Sequence, residues 1–347
     1  MEFRNLGNTD IKVSTICLGS MTWGQQNTMH DAFEQLDYAR SQGINFIDTA
    51  EMYSIPPTPE TYGITESIIG EWLTQQGNRN EIILATKIIG PADQWMPYIR
   101  NGKSRFDRSN IEQAINGSLE RLKTDYIDLY QLHWPERKTN FFGQLGFTVQ
   151  QEEESASVEE TLGVLKDQIQ AGKIRYVGLS NETPWGVMKF IEIAEKLNLP
   201  RVVSVQNPYS LLNRSYEIGL AEVSYREKCG LLAYSPLGFG VLSGKYLNNQ
   251  KPEGARLTLY PDYARYTKST AIAPTEQYVH LANNSGLKPA QLALSFINSR
   301  PFVTSNIIGA TTLRQLRENI ASININLSQN IIDEIERIHG IYPNPSP

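Results

Sequence analysis

Hydrophobic positions along this chain follow two alternating rhythms. Short apolar runs recur at residues 16–19, 45–48, 82–87, 127–133, 174–181, 202–206, 231–235 and 306–309. Between them lie stretches with apolar residues three and four apart, the spacing of a helix with one buried face. Phe33, Leu36 and Ala39 precede a stop at Gly43, and Ile68, Ile69, Trp72 and Leu73 precede one at Gly77, with Thr65 as the expected cap. A strong pattern runs from Ser109 through Ile111, Ala114, Ile115, Leu119 and Leu122. Further helices are predicted over 158–171, 184–197, 216–229, 275–284, 290–299 and 313–323. Strands alternating with helices argue for parallel βα units. An open doubly wound sheet is the competing arrangement, but eight regular units within about 300 residues fit a closed (β/α)₈ TIM-type barrel better. A hairpin around Gly7-Asn8 is expected ahead of the barrel, and an extra C-terminal helix at 328–339 with a frayed tail from Pro343 to Pro347 behind it. No break in composition marks a second domain, so one domain over 1–347 is expected.

Composition narrows the function classes. With 347 residues, 40% hydrophobic and 20% charged, the chain is long enough to bury a sizeable core. No run approaches the roughly 18 apolar residues of a membrane span, and the N-terminus lacks the pattern of a secretory signal. A net charge of −5 with no basic block argues against nucleic acid. Cys17 and Cys229 both fall in or beside apolar segments, which fits a reducing, cytoplasmic setting. Four histidines and two cysteines, none at ligand spacing, argue against a metal site.

The chemistry gathers where apolar runs end in ionisable residues. Asp48, Lys87 and His133 each close a predicted strand, and Tyr53 follows Asp48 in a loop that runs into Pro56-Pro57. In a parallel barrel such strand ends share one rim, the usual place for an active site. Each residue alone has an ordinary structural reading; together they suit proton transfer to a carbonyl oxygen. A free tyrosine, with a pKa of about 10, is a poor acid. An adjacent ammonium, Lys87, is expected to lower that value, with Asp48 holding Lys87 and His133 orienting the carbonyl. A Schiff-base Lys87 is the weaker alternative, because it leaves Tyr53 without a role.

Two segments offer cradles for phosphate. Gly238-Phe239-Gly240-Val241-Leu242-Ser243-Gly244-Lys245 is neither a Rossmann fingerprint nor a P-loop, since Ser243 and Tyr246 break those patterns. Its backbone N–H groups and lysine still suit a pyrophosphate. The last strand enters Gly309-Ala310-Thr311 and then a helix, an arrangement that offers an anion site at a helix N-terminus. Tyr234 is placed to stack on a flat ring.

In order along the chain, Asp48-Thr49-Ala50-x-x-Tyr53, Ala85-Thr86-Lys87, Gln131-Leu132-His133, Gly178-Leu179-Ser180-Asn181, Gln206-Asn207, Tyr234-Ser235-Pro236-Leu237 and Gly309-Ala310-Thr311 resemble the motifs of the aldo-keto reductases. The likeness covers nearly the whole chain. Glu51-Met52-Tyr53 and Leu242-Ser243-Gly244-Lys245-Tyr246 look most like the bacterial Tas-like, potassium-channel-β-subunit-like branch. The resemblance implies a barrel that binds NADP(H) without a Rossmann domain. It makes Tyr53 the proton donor, with Asp48, Lys87 and His133 completing a tetrad. It has Ser180, Asn181 and Gln206 hold the nicotinamide amide, and Tyr234 stack on its ring. Residues Ser235, Pro236, Leu237, Gly238, Gly240, Leu242, Ser243, Gly244 and Lys245 would fold over the pyrophosphate. Gly309, Thr311, Gln315, Glu318 and Asn319 would reach the adenosine end, and Arg256 or Arg314 the 2′-phosphate. The Pro56-Pro57 insertion departs from the commoner family pattern just above Tyr53.

The implied function is NADP(H)-dependent reduction of an aldehyde or ketone, with a small-molecule carbonyl substrate and neither nucleic acid nor membrane as partner. A cofactor-binding redox sensor with slow turnover is the alternative. Tyr53, His133 and the loop aromatics Trp23, Trp95, Trp134 and Phe141 are candidates to line the substrate pocket. The long irregular stretch from Trp134 to Ser157 carries an acidic cluster, Glu152-Glu153-Glu154.

Overall fold

The computed structural model describes residues 1–149 and 155–347, so the acidic cluster lies outside the described residues. A short antiparallel hairpin, β1 (Phe3–Asn5) and β2 (Lys12–Ser14), precedes eight parallel strands. These are β3 (Ile16–Gly19), β4 (Phe46–Asp48), β5 (Ile83–Ile88), β6 (Ile127–Leu132), β7 (Ile174–Ser180), β8 (Val202–Pro208), β9 (Gly230–Tyr234) and β10 (Val303–Ile308). They close into a barrel in chain order, β10 pairing with β3. The eight predicted runs are the eight staves.

Helices wrap the outside: α1 (Met29–Ser41), α2 (Ile64–Gln76), α3 (Arg108–Leu122), α4 (Val158–Gln170), α5 (Pro184–Leu197) and α6 (Leu220–Glu227). The short α7 (Arg256–Leu259) lies in the glycine-punctuated segment, followed by α8 (Ser269–Asn284), α9 (Pro289–Asn298), α10 (Leu313–Ala321) and α11 (Gln329–Ile341). Local chemistry sets their starts. Thr28 and Asp31 form a reciprocal capping box on α1. Asp107, Ser157, Thr183 and Thr312 cap α3, α4, α5 and α10. Thr65 does not cap α2, which starts at Ile64; its hydroxyl is spent on the Trp23 carbonyl, 2.7 Å away. The helix expected over 216–229 is broken at Gly219 into a 3₁₀ turn, Ser215–Ile218, and α6.

The frayed tail is also a misreading of the sequence. Asn344 accepts a hydrogen bond from the Arg214 N–H at 2.6 Å, the Ser346 N–H donates to Leu212 at 3.0 Å, and the Pro347 main-chain oxygen accepts from Arg265 Nε at 3.1 Å. These partners lie more than 80 residues upstream, so no local pattern announces them.

Inside the barrel, side chains two apart on a strand face the same way. Cys17, Phe46, Ala85, Leu129 and Leu232 fill the lower layer with Leu6 and Val13 of the hairpin beneath them. The hairpin is thus a plug: a Cβ at Gly7 would lie 2.4 Å from the Val203 carbonyl. Two residues further along the same strands come Asp48, Lys87, Gln131 and Tyr234. The apolar floor and the polar upper layer therefore follow from one alternation. Outside, α2 crosses the end of α3 so closely that a Cβ at Gly70 would sit 2.2 Å from the Arg121 carbonyl oxygen. On an open helix Gly→Ala would stabilise by about 1 kcal/mol. Here Gly70→Ala is expected instead to destabilise by about 1–3 kcal/mol through overpacking, read as a lower denaturation midpoint.

Candidate active site

At the C-terminal rim, Asp48 and Lys87 meet on adjacent strands. Lys87 Nζ donates to Asp48 Oδ2 at 2.7 Å and to the Thr49 carbonyl at 2.6 Å. The other carboxylate oxygen accepts from Gln206 Nε2 at 2.8 Å and Gln131 Nε2 at 3.2 Å. The pair is almost wholly buried, Lys87 at 0% and Asp48 at 3% exposure, so the hydrogen bonds around it are what make burial tolerable. Above it, Lys87 Nζ lies 4.9 Å from the centre of the Tyr53 ring, and the His133 ring meets Tyr53 edge-on at 5.9 Å. The four residues picked out in the sequence thus form one cluster.

Their electrostatics differ from expectation in one respect. Burial pushes the Tyr53 phenol above its ordinary value; the Lys87 charge draws it back without reversing the shift. The expected lowering by Lys87 is real as a contribution but loses to desolvation. Burial also pulls the Lys87 ammonium towards neutrality, yet Asp48 and Tyr53 together outweigh it and its pKa ends above the ordinary value. Burial and the Lys87 charge hold His133 well below the usual histidine range, so the ring is neutral near pH 7. Its Nδ1 is buried without a hydrogen-bond partner among the described residues.

The Tyr53 loop is anchored by a pairing that no sequence pattern signals. Arg100 clamps the buried Glu51 carboxylate through two bonds, 2.7 and 2.8 Å, and the Ile89 N–H and Tyr62 hydroxyl complete its shell. Arg100 is 49 residues from Glu51, in the segment between β5 and α3.

A cavity of about 580 Å³ runs from Tyr53 and His133 across the rim to Asn319. Ser180, Asn181, Gln206, Tyr234, Ser235, Pro236, Leu237, Gly240, Ser243, Lys245, Arg256, Gly309, Thr311, Gln315, Glu318 and Asn319 all line it. Asn181 donates to the His133 carbonyl at 2.9 Å and accepts from the Tyr234 hydroxyl at 2.6 Å, joining three strands in one wall. Gly238, Leu242 and Gly244 stand behind the wall and shape the loop: Leu242 is buried in the core, and the two glycines take positive φ against Tyr266 and Val279. Arg314 is exposed and off the cavity, whereas Arg256 lies over the Phe239 ring inside it. Lys245 and Arg256 have no carboxylate partner among the described residues, and burial lowers the pKa of both.

The aromatic candidates need correcting. Trp23 is fully buried in the core, its indole N–H on Gln35 at 3.3 Å, and lines nothing. Trp134 is 1% exposed and lies behind His133, ring centres 5.0 Å apart. Trp95 and Phe142, rather than Phe141, reach the cavity. Arg265, Phe239 and Tyr263 also line it; a tyrosine at every third position, 260, 263 and 266, is the only sequence signal near them.

A closed parallel barrel with this rim is a framework for small-molecule chemistry, and comparison places it. The model of the Aldo/keto reductase family matches residues 15–339. The chain belongs to the aldo/keto reductase family and is therefore an oxidoreductase. It is 50% identical over the full length of both chains to Protein tas of Escherichia coli (strain K12). An uncharacterized oxidoreductase of Bacillus subtilis, YrpG, is 33% identical over 99% of this chain and 97% of its own. A probable voltage-gated potassium channel subunit beta of Oryza sativa is 28% identical over 97% of this chain and 96% of its own.

Proposed function

We propose that this chain reduces aldehyde or ketone carbonyls to alcohols with NADPH, Tyr53 giving the proton. The observation that carries the reading is the buried Asp48–Lys87 pair set beneath Tyr53 and His133 at one end of the long cavity. The cavity's residues fit the cofactor. Lys245 and Arg256 supply positive charge that no protein carboxylate neutralises among the described residues, matched to phosphates. Ser180, Asn181 and Gln206 would hold the nicotinamide amide, Tyr234 would lie against its ring, and Thr311, Gln315, Glu318 and Asn319 would hold the adenosine end. When bound, the dinucleotide supplies the hydride that adds to the carbonyl carbon. The protein's own part is to receive the negative charge that develops on oxygen. Neutral His133 offers a ring N–H to that oxygen. The Tyr53 hydroxyl, kept protonated by burial, hands over its proton as charge builds, and Lys87 stabilises the phenolate left behind. Asp48 fixes Lys87 so that its charge stays below the ring.

Fluorescence titration with NADPH and NADH, followed by a carbonyl panel, tests this. NADPH is expected to bind more tightly, and Arg256→Gln to weaken it by about tenfold or more, the scale of one lost hydrogen bond to a charged group. Absence of binding to either dinucleotide would sink the proposal. The likeness to proteins named as potassium channel subunits favours one second reading, a redox sensor; tight NADPH binding without turnover on any carbonyl would select it.

A further inference from the structure

We propose that Asn207 is a positioning residue for the dinucleotide: its side chain clasps the main chain of Glu182 and thereby sets the aim of the Asn181 amide. This rests on the reductase reading for the identity of the ligand, but the clasp itself does not.

Asn181 carries the conformational demand. It follows β7 with a φ of 53°, in the left-handed region that asparagine tolerates better than most residues but that still costs energy. Such a conformation persists only where the surroundings over-determine it. On one side, the Asn181 N–H donates to the Gln206 carbonyl at 3.0 Å. On the other, Asn207 grips the next residue twice. Its Oδ1 accepts from the Glu182 N–H at 3.0 Å, and its Nδ2 donates to the Glu182 carbonyl at 2.8 Å. One side-chain amide thus satisfies both main-chain polar groups of Glu182, and all three residues are buried. The Glu182 carboxylate is fixed as well, by Arg137 Nη1 at 2.9 Å and by the Thr183 N–H at 2.6 Å. The first turn of α5 closes on it: a Cβ at Gly186 would lie 2.2 Å from Glu182 Oε1.

Asn207 reaches the site only through this clasp. Gln206 turns into the barrel towards Asp48, so Asn207, next on β8, turns outward. Neither Asn207 nor Glu182 lines the long cavity, whereas Asn181 does. With its main chain held on both sides, the Asn181 amide spans the His133 carbonyl and the Tyr234 hydroxyl, at 2.9 and 2.6 Å. The same amide belongs to the group proposed to hold the nicotinamide. Without Asn207, the Glu182 N–H and carbonyl lose their partners, and the left-handed turn at Asn181 loses the restraint on its far side. The Asn181 side chain then no longer keeps one aim. Asn207 gains this role from the pairing of β7 with β8, which sets Ser180 opposite Gln206 and so brings the residues beyond them together.

The test is a double-mutant cycle on NADPH binding, read by fluorescence titration. Asn207→Ala is expected to weaken binding by about tenfold, the scale of one or two lost neutral hydrogen bonds. In an Asn181→Ala background the same substitution should change binding by less than about twofold, because its route to the cofactor is gone. Additive losses, or wild-type affinity in a folded Asn207→Ala, overturn the assignment. Thermal melts report folding, and Asn207→Ser, which leaves a hydroxyl on the Glu182 side, takes the place of the alanine variant if that one does not fold. A second readout needs neither cofactor nor turnover. In proton–nitrogen NMR spectra of isotopically labelled protein, the Asn181 side-chain amide signals, identified by their absence from Asn181→Ala, should shift in Asn207→Ala. Signals that stay in place overturn the clasp even where affinity falls. If wild type binds neither NADPH nor NADH, the reductase reading fails, and the amide signals alone decide the clasp.

Discussion

Tyr53→Phe is expected to lower kcat by about 10²–10⁴-fold, the scale of a lost general acid, while NADPH still binds as in wild type. Phenylalanine keeps the ring that His133 meets edge-on and that Lys87 underlies, so the packing of the loop survives. Only the hydroxyl is removed. The pH profile checks the same assignment with a definite sign. Burial raises the Tyr53 pKa above the ordinary tyrosine value. Reduction needs the protonated phenol, so kcat should hold through neutral pH and fall only as pH rises beyond about 10. A profile falling already between pH 7 and 8 would mean that the proton comes from elsewhere. Turnover by Tyr53→Phe within a few-fold of wild type, in stopped-flow or steady-state assays, would remove Tyr53 from the mechanism altogether.

Lys87→Met should have the second largest effect, on stability and activity together. Methionine approximates the lysine stem but leaves Asp48 as a buried carboxylate with only the amides of Gln206 and Gln131 against it. Removing one partner of a buried pair costs about 3–5 kcal/mol, measurable as a shift in the guanidinium midpoint. The double variant Asp48→Asn/Lys87→Met removes both charges and should recover much of that stability, since apolar or neutral replacements of buried pairs are often tolerated. It should not recover turnover, because nothing then offsets the effect of burial on Tyr53. Recovery of stability without recovery of kcat separates the structural work of the pair from its chemical work. If the double variant regained turnover, Lys87 would be a packing residue.

The framework was legible because it depends on local rules. Eight apolar runs alternating with helical spacing admit few arrangements, and all eight are staves of the barrel. Parallel strands end on one side, so Asp48, Lys87, His133, Asn181, Gln206 and Tyr234 had to share a rim once the barrel closed. Where a neighbour distant in sequence captures a side chain, the local reading fails. Thr65 caps nothing because the Trp23 carbonyl takes its hydroxyl. Trp23 and Trp134 look like loop aromatics, but the helices and His133 close over them. The tail is ordered by Arg214, Leu212 and Arg265.

By itself, then, the sequence determined the strand and helix pattern, the closed barrel and the shared rim of ionisable side chains, since each follows from periodicity two or 3.6 and from the parallel sense of the strands. Tertiary structure alone decided how deeply that rim is buried, and hence that desolvation outweighs Lys87 at Tyr53. It alone decided that Arg100 holds the Tyr53 loop and that Arg265, at the cavity wall, ties down Pro347. Burial and charge pairing depend on which residues meet across dozens or hundreds of positions, and only the folded chain brings them together.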